Sequence, residues 1–482
     1  MRNRNGRLTK WKRPKKSAKG TGRRTVPSDA IHLAPPQPSS GGDHQDPVTR
    51  TIGWPRLFGA TGWHVPSFVL VAGSLLASAL CGASWMLPIH WIGPALSLGM
   101  VALVLLQKSA WARYGTAFAY YAAGSVGLLR GVSVFFGAHA PAWEGAFLWL
   151  GSSALLALAW ALVDRPWKVV LALVFDALVP PLSFFDWLSP LASAGVFYPN
   201  AGLFGAYFLL SLFAMWEFPV SDPVDPDRAI PLRKHPKKFA LMYSVLLGGI
   251  VMFNLASIVR GPKPAPEHWL GVHLNVGPEV PNLMADLNRR AEWIAETRQQ
   301  ALEKPGTQVV LLPETLSTWW PGTGMQTAMA IPNEQTWLVG VSLPLEPGML
   351  ADAIVSVRHD SRPDAKGIVG KVLFRSPLPV PVSMWHPWSR GTGYVRSQNV
   401  GYRAYWWEPV QRIEGVRAWA SICYDQLLPF VWLEAVIQHP DVILLTNNEW
   451  WAKGTGIPTI QRNTAWAWGR LIGVPEIEAE NR

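Results

Sequence analysis

Apolar and polar positions fall into two regimes along this chain. From Leu57 to Gln107 no charged residue occurs across 51 positions. At 1.5 Å per helical residue, that run exceeds one crossing of a roughly 30 Å hydrocarbon core. Pro88 and His90 interrupt it, so the pattern predicts two helices, over 66–87 and 89–107. Further apolar stretches at 114–137, 143–163, 169–185, 196–216 and 239–259 bring the expected count to seven, give or take one. The second stretch is short, and the fifth contains Asp176 and the pair Pro180-Pro181. Beyond Val259 the pattern changes. Residues 269–276 alternate as a strand does, and 280–303 carry helical spacing through Leu283, Leu287, Trp293 and Ile294. Strands are expected at 308–312, 336–345, 353–358, 367–374, 416–423 and 442–447, and helices at 427–438 and 458–470. Strands interleaved with helices predict a layered α/β domain. The chain therefore divides into a tail (1–56), a helical membrane bundle (57–260) and an α/β domain (261–482).

Charge tests this division. The formal charge of +11 is concentrated in residues 1–24, which hold eleven Lys/Arg and no acid; the rest carries 32 basic and 32 acidic residues. A basic nucleic-acid-binding body is excluded and no specific nucleic-acid partner is expected; the composition of the tail predicts a disordered basic arm. With that arm in the cytoplasm, the second, fourth and sixth loops carry Lys108 and Arg113, then Arg165 and Lys168, then Arg228, Arg233, Lys234, Lys237 and Lys238. The opposite loops carry no Lys or Arg, as the positive-inside rule requires. Seven spans place the α/β domain outside the cytoplasm.

Three strand ends carry polar groups that a core does not need: Leu312-Pro313-Glu314, Gly370-Lys371-Val372, and Ile422-Cys423-Tyr424-Asp425. A free thiol has a pKa near 8.5, so a nucleophilic cysteine needs a base or a cation beside it. A carboxylate can take the proton, and an ammonium can stabilise an oxyanion. Each residue also has a plain reading: Cys423 as a small buried hydrophobe, Glu314 as a turn residue, Lys371 as an edge-strand gatekeeper. The other cysteine, Cys81, lies in an apolar run, so a bridge between the two is not expected. No histidine has metal-ligand spacing, and the sequence points to no metal and no cofactor.

These motifs, with Leu444-Leu445-Thr446-Asn447-Asn448-Glu449-Trp450-Trp451 after them, resemble the Glu–Lys–Cys triad of the nitrilase (carbon–nitrogen hydrolase) superfamily, and their separations of 57 and 52 positions suit it. In the apolar half, the stretches around Arg130 and from Trp187 to Pro199 resemble apolipoprotein N-acyltransferase, in which a polytopic bundle carries a periplasmic nitrilase-like domain. The resemblance spans roughly residues 60–470. It implies an α-β-β-α sandwich after the bundle, in the bacterial inner membrane. It also implies ping-pong chemistry: Glu314 as base, Cys423 attacking a phospholipid acyl ester, Lys371 stabilising the oxyanion, and the amine of a lipoprotein acceptor taking the acyl chain. Two departures stand out. The second carboxylate expected after the lysine is replaced by Pro379, and none follows until Glu408. The chain also ends at Arg482, so the sandwich is expected to be truncated at its C-terminus. Both departures resemble the TraB branch of plasmid conjugal-transfer proteins, which would add conjugation machinery as a partner.

Beyond the triad, Arg130, Trp385, Trp450, Trp451 and Asp425 are the expected substrate-binding residues. Arg130 and Asp176, charged within apolar stretches, fit either a lipid headgroup site or a structural pair. Trp385, Trp388, Trp406, Trp407, Trp450 and Trp451 fit an acyl groove or ordinary packing. The function readings are a membrane acyltransferase, a conjugation accessory protein with altered or no activity, and a transporter. The last is disfavoured because the polar residues cluster outside the bundle.

Overall fold

The computed structural model describes residues 67–136, 142–214, 236–279, 282–387 and 400–482. The basic tail, the loop bearing Arg228, Arg233 and Lys234, and Trp388 lie outside these described residues.

Every apolar stretch contributes at least one helix among the described residues. The first two become α1 (Ser67–Ala83) and α2 (Ile92–Leu105), with the break at Pro88. The third divides around Ser125, Val126 and Gly127 into α3 (Ala110–Gly124) and α4 (Leu128–Phe136). The fourth is α5 (Ala142–Ala161). The fifth stops early as α6 (Pro166–Leu178), ahead of two prolines that cannot donate to the preceding turn. The sixth opens with the short α7 (Ser193–Phe197) and continues as α8 (Leu203–Ala214); the last is α9 (Pro236–Arg260). Among the described residues three segments are long and apolar enough to cross a bilayer: Phe68–Met86, Trp143–Ala161 and Tyr243–Arg260. α2 and α8 are apolar but shorter. Their outer faces are unusual for a water-soluble surface, with Phe68, Leu76, Phe147, Met252, Ile258 and Val259 all exposed. Asp176, by contrast, is buried and accepts from the Trp160 indole at 2.8 Å and from the Tyr121 hydroxyl at 3.4 Å.

The α/β half has four layers. The first sheet runs β1 (Trp269–Gly271), β2 (Val309–Leu311), β4 (Thr336–Glu346), β5 (Met349–Val357), β6 (Lys371–Arg375). Two short strands join it, β3 (Ser317–Thr318) on β4 and β7 (Gly401–Tyr402) on β5. The second sheet runs β11 (Glu476–Asn481), β10 (Val442–Asn448), β9 (Val416–Ile422), β8 (Gln411–Ile413). Between the sheets lies a dry layer that includes Val309, Leu338, Ile354, Phe374, Ala420 and Leu444. α10 (Leu283–Glu303) and α11 (Pro321–Ala330) cover the first sheet, with Trp293 and Ala328 in that layer. α12 (Pro429–Gln438) and α13 (Ile457–Ile472) cover the second. This is an α-β-β-α sandwich.

Bundle and sandwich share one hydrophobic core: Trp85, Tyr120, Trp160 and Leu188 from the helices are continuous with Trp419, Trp432 and Trp468. α7 lies so close to α13 that a Cβ on Gly195 would sit 1.7 Å from the Ala467 carbonyl.

Candidate active site at Cys423

Cys423 follows β9 and opens a 3-10 turn, Cys423–Leu427. Its φ is 48°, a left-handed conformation that a side chain adopts only where its surroundings force it, at a cost of order 1–3 kcal/mol. The elbow is held from α13, where Gln461 donates Nε2 to the Cys423 carbonyl at 3.0 Å. Glu314 follows β2 through Pro313 and is 4% exposed. It rides over β4 at a residue without a side chain: a Cβ on Gly340 would stand 2.2 Å from the Pro313 carbonyl and 2.6 Å from Glu314 Cα. The next residue, Thr315, also has a positive φ, 42°.

The structure brings these two residues together. The Cys423 thiol and the Glu314 carboxyl are hydrogen-bonded. Asn448, at the end of β10, donates its backbone N–H to Glu314 Oε2 at 3.1 Å and its side-chain amide to the Glu314 carbonyl at 3.2 Å. Asn448 is fixed in turn by Asn481 of β11, whose amide reaches Asn448 Oδ1 at 2.9 Å. A second carboxyl, Asp352 of β5, hydrogen-bonds Glu314. Asp425 is buried beneath the elbow, where its Oδ1 accepts from the Leu378 N–H at 3.0 Å.

Lys371 is not brought to them. It opens β6 and is exposed. The site gathers beyond the other end of that strand, where Ser376 bonds both Asp352 and Asp425. The five residue steps from Lys371 to Ser376 span about 16 Å at the ~3.3 Å rise of a strand. Arg375, nearer the site, lays its guanidinium on Tyr405, 5.1 Å from the ring centre.

Electrostatics follow from this arrangement. Burial pushes the Cys423 thiol well above its ordinary value, and the charge and hydrogen bond of Glu314, then Asp352 and Asp425, push it the same way. Burial also raises Glu314, opposed by its hydrogen bonds to Asp352, Cys423 and Asn448. Among the described residues the groups acting on Glu314 include no lysine or arginine. The ammonium-assisted thiolate expected from the sequence is replaced by a protonated thiol among carboxyls. No cluster of three His, Cys, Asp or Glu suited to a metal occurs among the described residues.

Cys423 forms part of the wall of two cavities. One, with an empty volume of about 910 Å³ including its mouth, runs toward the bundle and is lined by Leu128, Val132, Leu148, Phe185, Trp187 and Leu427. The other, about 2330 Å³ on the same measure, opens on the sandwich side and is lined by Glu314, Thr315, Asp286, Arg290, Asn448 and Trp450. Trp451, Phe135 and Val380 border both.

The remaining expected residues divide. Trp450 and Trp451 line the site, and Trp451 meets Phe135 of α4 edge-on at 5.2 Å. Arg130, exposed on α4, holds its guanidinium against Gly454, in the loop after Trp451; it does not pair with Asp176. Trp385 packs on Phe184 and Trp406 at 5.4 and 5.3 Å and borders neither cavity. Asp425 is likewise absent from both linings and supports the loop at Leu378. Asp352 and Asn448 were missed as site residues, since one sits mid-strand and the other ends a strand with nothing local to mark either. β11 was missed as well, although its alternation of Glu476, Glu478 and Glu480 with Ile477 and Ala479 is a strand signal.

A strand-to-turn cysteine bonded to a glutamate, in an α-β-β-α sandwich packed against apolar helices, defines a class: proteins with a buried thiol–carboxyl site. Two proteins similar over most of the chain bear the name of a transfer protein. One is a probable conjugal transfer protein TraB from Sinorhizobium fredii, 28% identical over 82% of this chain and 95% of its own length. The other is the conjugal transfer protein TraB of Agrobacterium fabrum, 26% identical over 87% and 93%. No family model matches the chain. Solved structures with some likeness include an amidase from Nesterenkonia at 14% identity and TM-score 0.31, covering 46% of this chain and 79% of that one. Another is a carbon–nitrogen hydrolase from Helicobacter pylori at 12% and 0.28, covering 44% and 72%.

Proposed function

We propose that this chain is a membrane-bound acyltransferase of the carbon–nitrogen hydrolase type, acting in plasmid conjugal transfer, with its site on the non-cytoplasmic face of the bacterial inner membrane. The observation that carries this reading is the place of Cys423 between an apolar cavity facing the bundle and a polar cavity facing the sandwich. A fatty acyl chain fits the first, and an amine acceptor enters by the second. In the first half-reaction Sγ attacks the ester carbonyl of a phospholipid. The thiol proton passes to Glu314 and on to the departing alcohol as the C–O bond breaks and the thioester forms. In the second, an amine attacks the thioester: the C–N bond forms, the C–S bond breaks, and the amine proton returns through Glu314 to sulfur. Glu314 needs no cation to do this, because transfer in concert with attack never leaves a free thiolate. Arg130, beside the Trp451 loop, is suited to a lipid phosphate. The name borne by the two similar proteins supports the conjugation setting.

The test is mass spectrometry of the purified protein after incubation with phospholipid vesicles. A fatty-acyl mass on the Cys423 peptide, absent in Cys423→Ala and discharged by a peptide amine, is the expected result. A second reading, an accessory membrane protein with altered or no activity, is favoured by the position of Lys371. It stands if no adduct forms on Cys423 while the thiol still alkylates.

A further inference from the structure

Glu314 is bonded to Asp352 as well as to the thiol, and two carboxyls share a hydrogen bond only if one keeps its proton. The donors around them say which. Glu314 accepts from the Asn448 N–H and is bonded to the thiol, so it is placed as the anion. Asp352 is 3% exposed and its Oδ1 has no hydrogen-bond partner, so nothing there stabilises a charge on it. The strand around it is fixed by pairing with Ser342 of β4 and by the Ser376 N–H, which reaches the Asp352 carbonyl at 2.9 Å. The titratable groups around it are Glu314 from the segment after β2, Cys423 and Asp425 from the turn after β9, and Tyr402 of β7, which bonds Ser342.

We propose that Asp352 is a positioning residue of this site: as a neutral acid it donates to Glu314 and keeps that carboxylate aimed at the Cys423 thiol. Burial and the charge of Glu314 both raise the Asp352 carboxyl, in keeping with that role. When the thiol gives its proton to Glu314 as sulfur attacks, one negative charge moves from the carboxylate to the reacting group beside two neutral acids. The net charge of the buried site does not change during the step, which limits its desolvation penalty.

The proposal rests on Cys423 being the nucleophile, but its test does not require acyl transfer. The rate of Cys423 alkylation by iodoacetamide is followed across pH in the full-length protein in detergent. Asp352→Asn, whose amide still donates, should keep the rate near wild type and lose the alkaline break at which Asp352 would give up its proton. Asp352→Leu and Glu314→Gln should each slow it by about 10²-fold, the loss that follows a misplacement of about 1 Å. Lys371→Ala should leave rate and profile unchanged. A wild-type profile in Asp352→Leu, or equal damage in the Asn and Leu variants, overturns the proposal. If Asp352→Leu does not fold, as Cys81 labelling and melting would reveal, the Asp352→Asn profile decides alone. Failure of phospholipid acylation with these effects intact would count only against acyl transfer.

Discussion

At the scale of single residues, this protein buries more carboxyls than its sequence suggests, and their protonation ties stability to pH. Burial pushes Glu408 up to about 9, Glu476 to about 8, and Glu434 and Glu449 to about 7. Each folded value lies above the roughly 4.3 of an unfolded glutamate, so the folded state binds more protons than the unfolded one through that range. Their contribution is complete below the unfolded value and is lost as pH rises through about 7 to 9. Glu480 runs the other way. Despite burial, the hydrogen bonds from His273 and Arg482 and the charges of Arg462 and Arg482 hold it at about 2, so its contribution is lost only as pH falls toward that value. Melting in detergent should therefore show a higher midpoint at mildly acidic than at alkaline pH. A midpoint that climbs into the alkaline range would mean these carboxyls are ionised in the fold.

At the scale of elements, the site depends on how strands approach one another. The Pro313–Glu314 backbone crosses β4 only because Gly340 has no Cβ. In Gly340→Ala the added methyl meets the Pro313–Glu314 backbone, and overpacking of this kind costs about 1–3 kcal/mol. Here the strain falls on the residues that carry Glu314, so Cys423 alkylation should drop along with the melting temperature. A variant with a lowered midpoint and an unchanged alkylation rate would show that Glu314 is held from elsewhere. The alternative support is visible in β11: Asn481 bonds Asn448 and the Gly277 carbonyl, linking the last strand of one sheet to a loop of the other. Asn448 then carries that link to Glu314. β11, which the sequence pattern left unassigned, thus braces the site.

At the scale of the whole molecule, the apolar helices and the sandwich form one core, so the thiol is fixed relative to any membrane the helices occupy. The proposed orientation makes a simple forecast. In intact spheroplasts a membrane-impermeant maleimide should reach Cys423 from outside and miss it in Cys423→Ala. Labelling of Cys423 only after lysis would reverse the orientation and remove the argument that donor and acceptor are met on the outer face. The cytoplasmic placement of Lys108, Arg113, Arg165 and Lys168 would have to be reversed with it.

The apolar helices, the alternation of strands with helices and the pairing of Glu314 with Cys423 were legible in the sequence, because each rests on local periodicity or on residue types at strand ends. Helix positions follow from the apolar stretches, but α6 ends at Leu178, ahead of Pro180-Pro181, where the pattern runs on to 185, and the third stretch breaks into α3 and α4 around Gly127. Three things depended on the tertiary structure. Lys371 looked catalytic by spacing, yet strand direction sends it to the far end of β6, and direction is set by pairing between segments distant in the chain. Asp352 looked like a polar interruption in a strand, and only the crossing of Glu314 over Gly340 makes it a neighbour of the site. The shared core of bundle and sandwich, with a cavity on each side of Cys423, arises from apolar faces that carry no information about their partners. Burial of an apolar surface is non-directional; which surface meets which is decided by shape once the chain has folded.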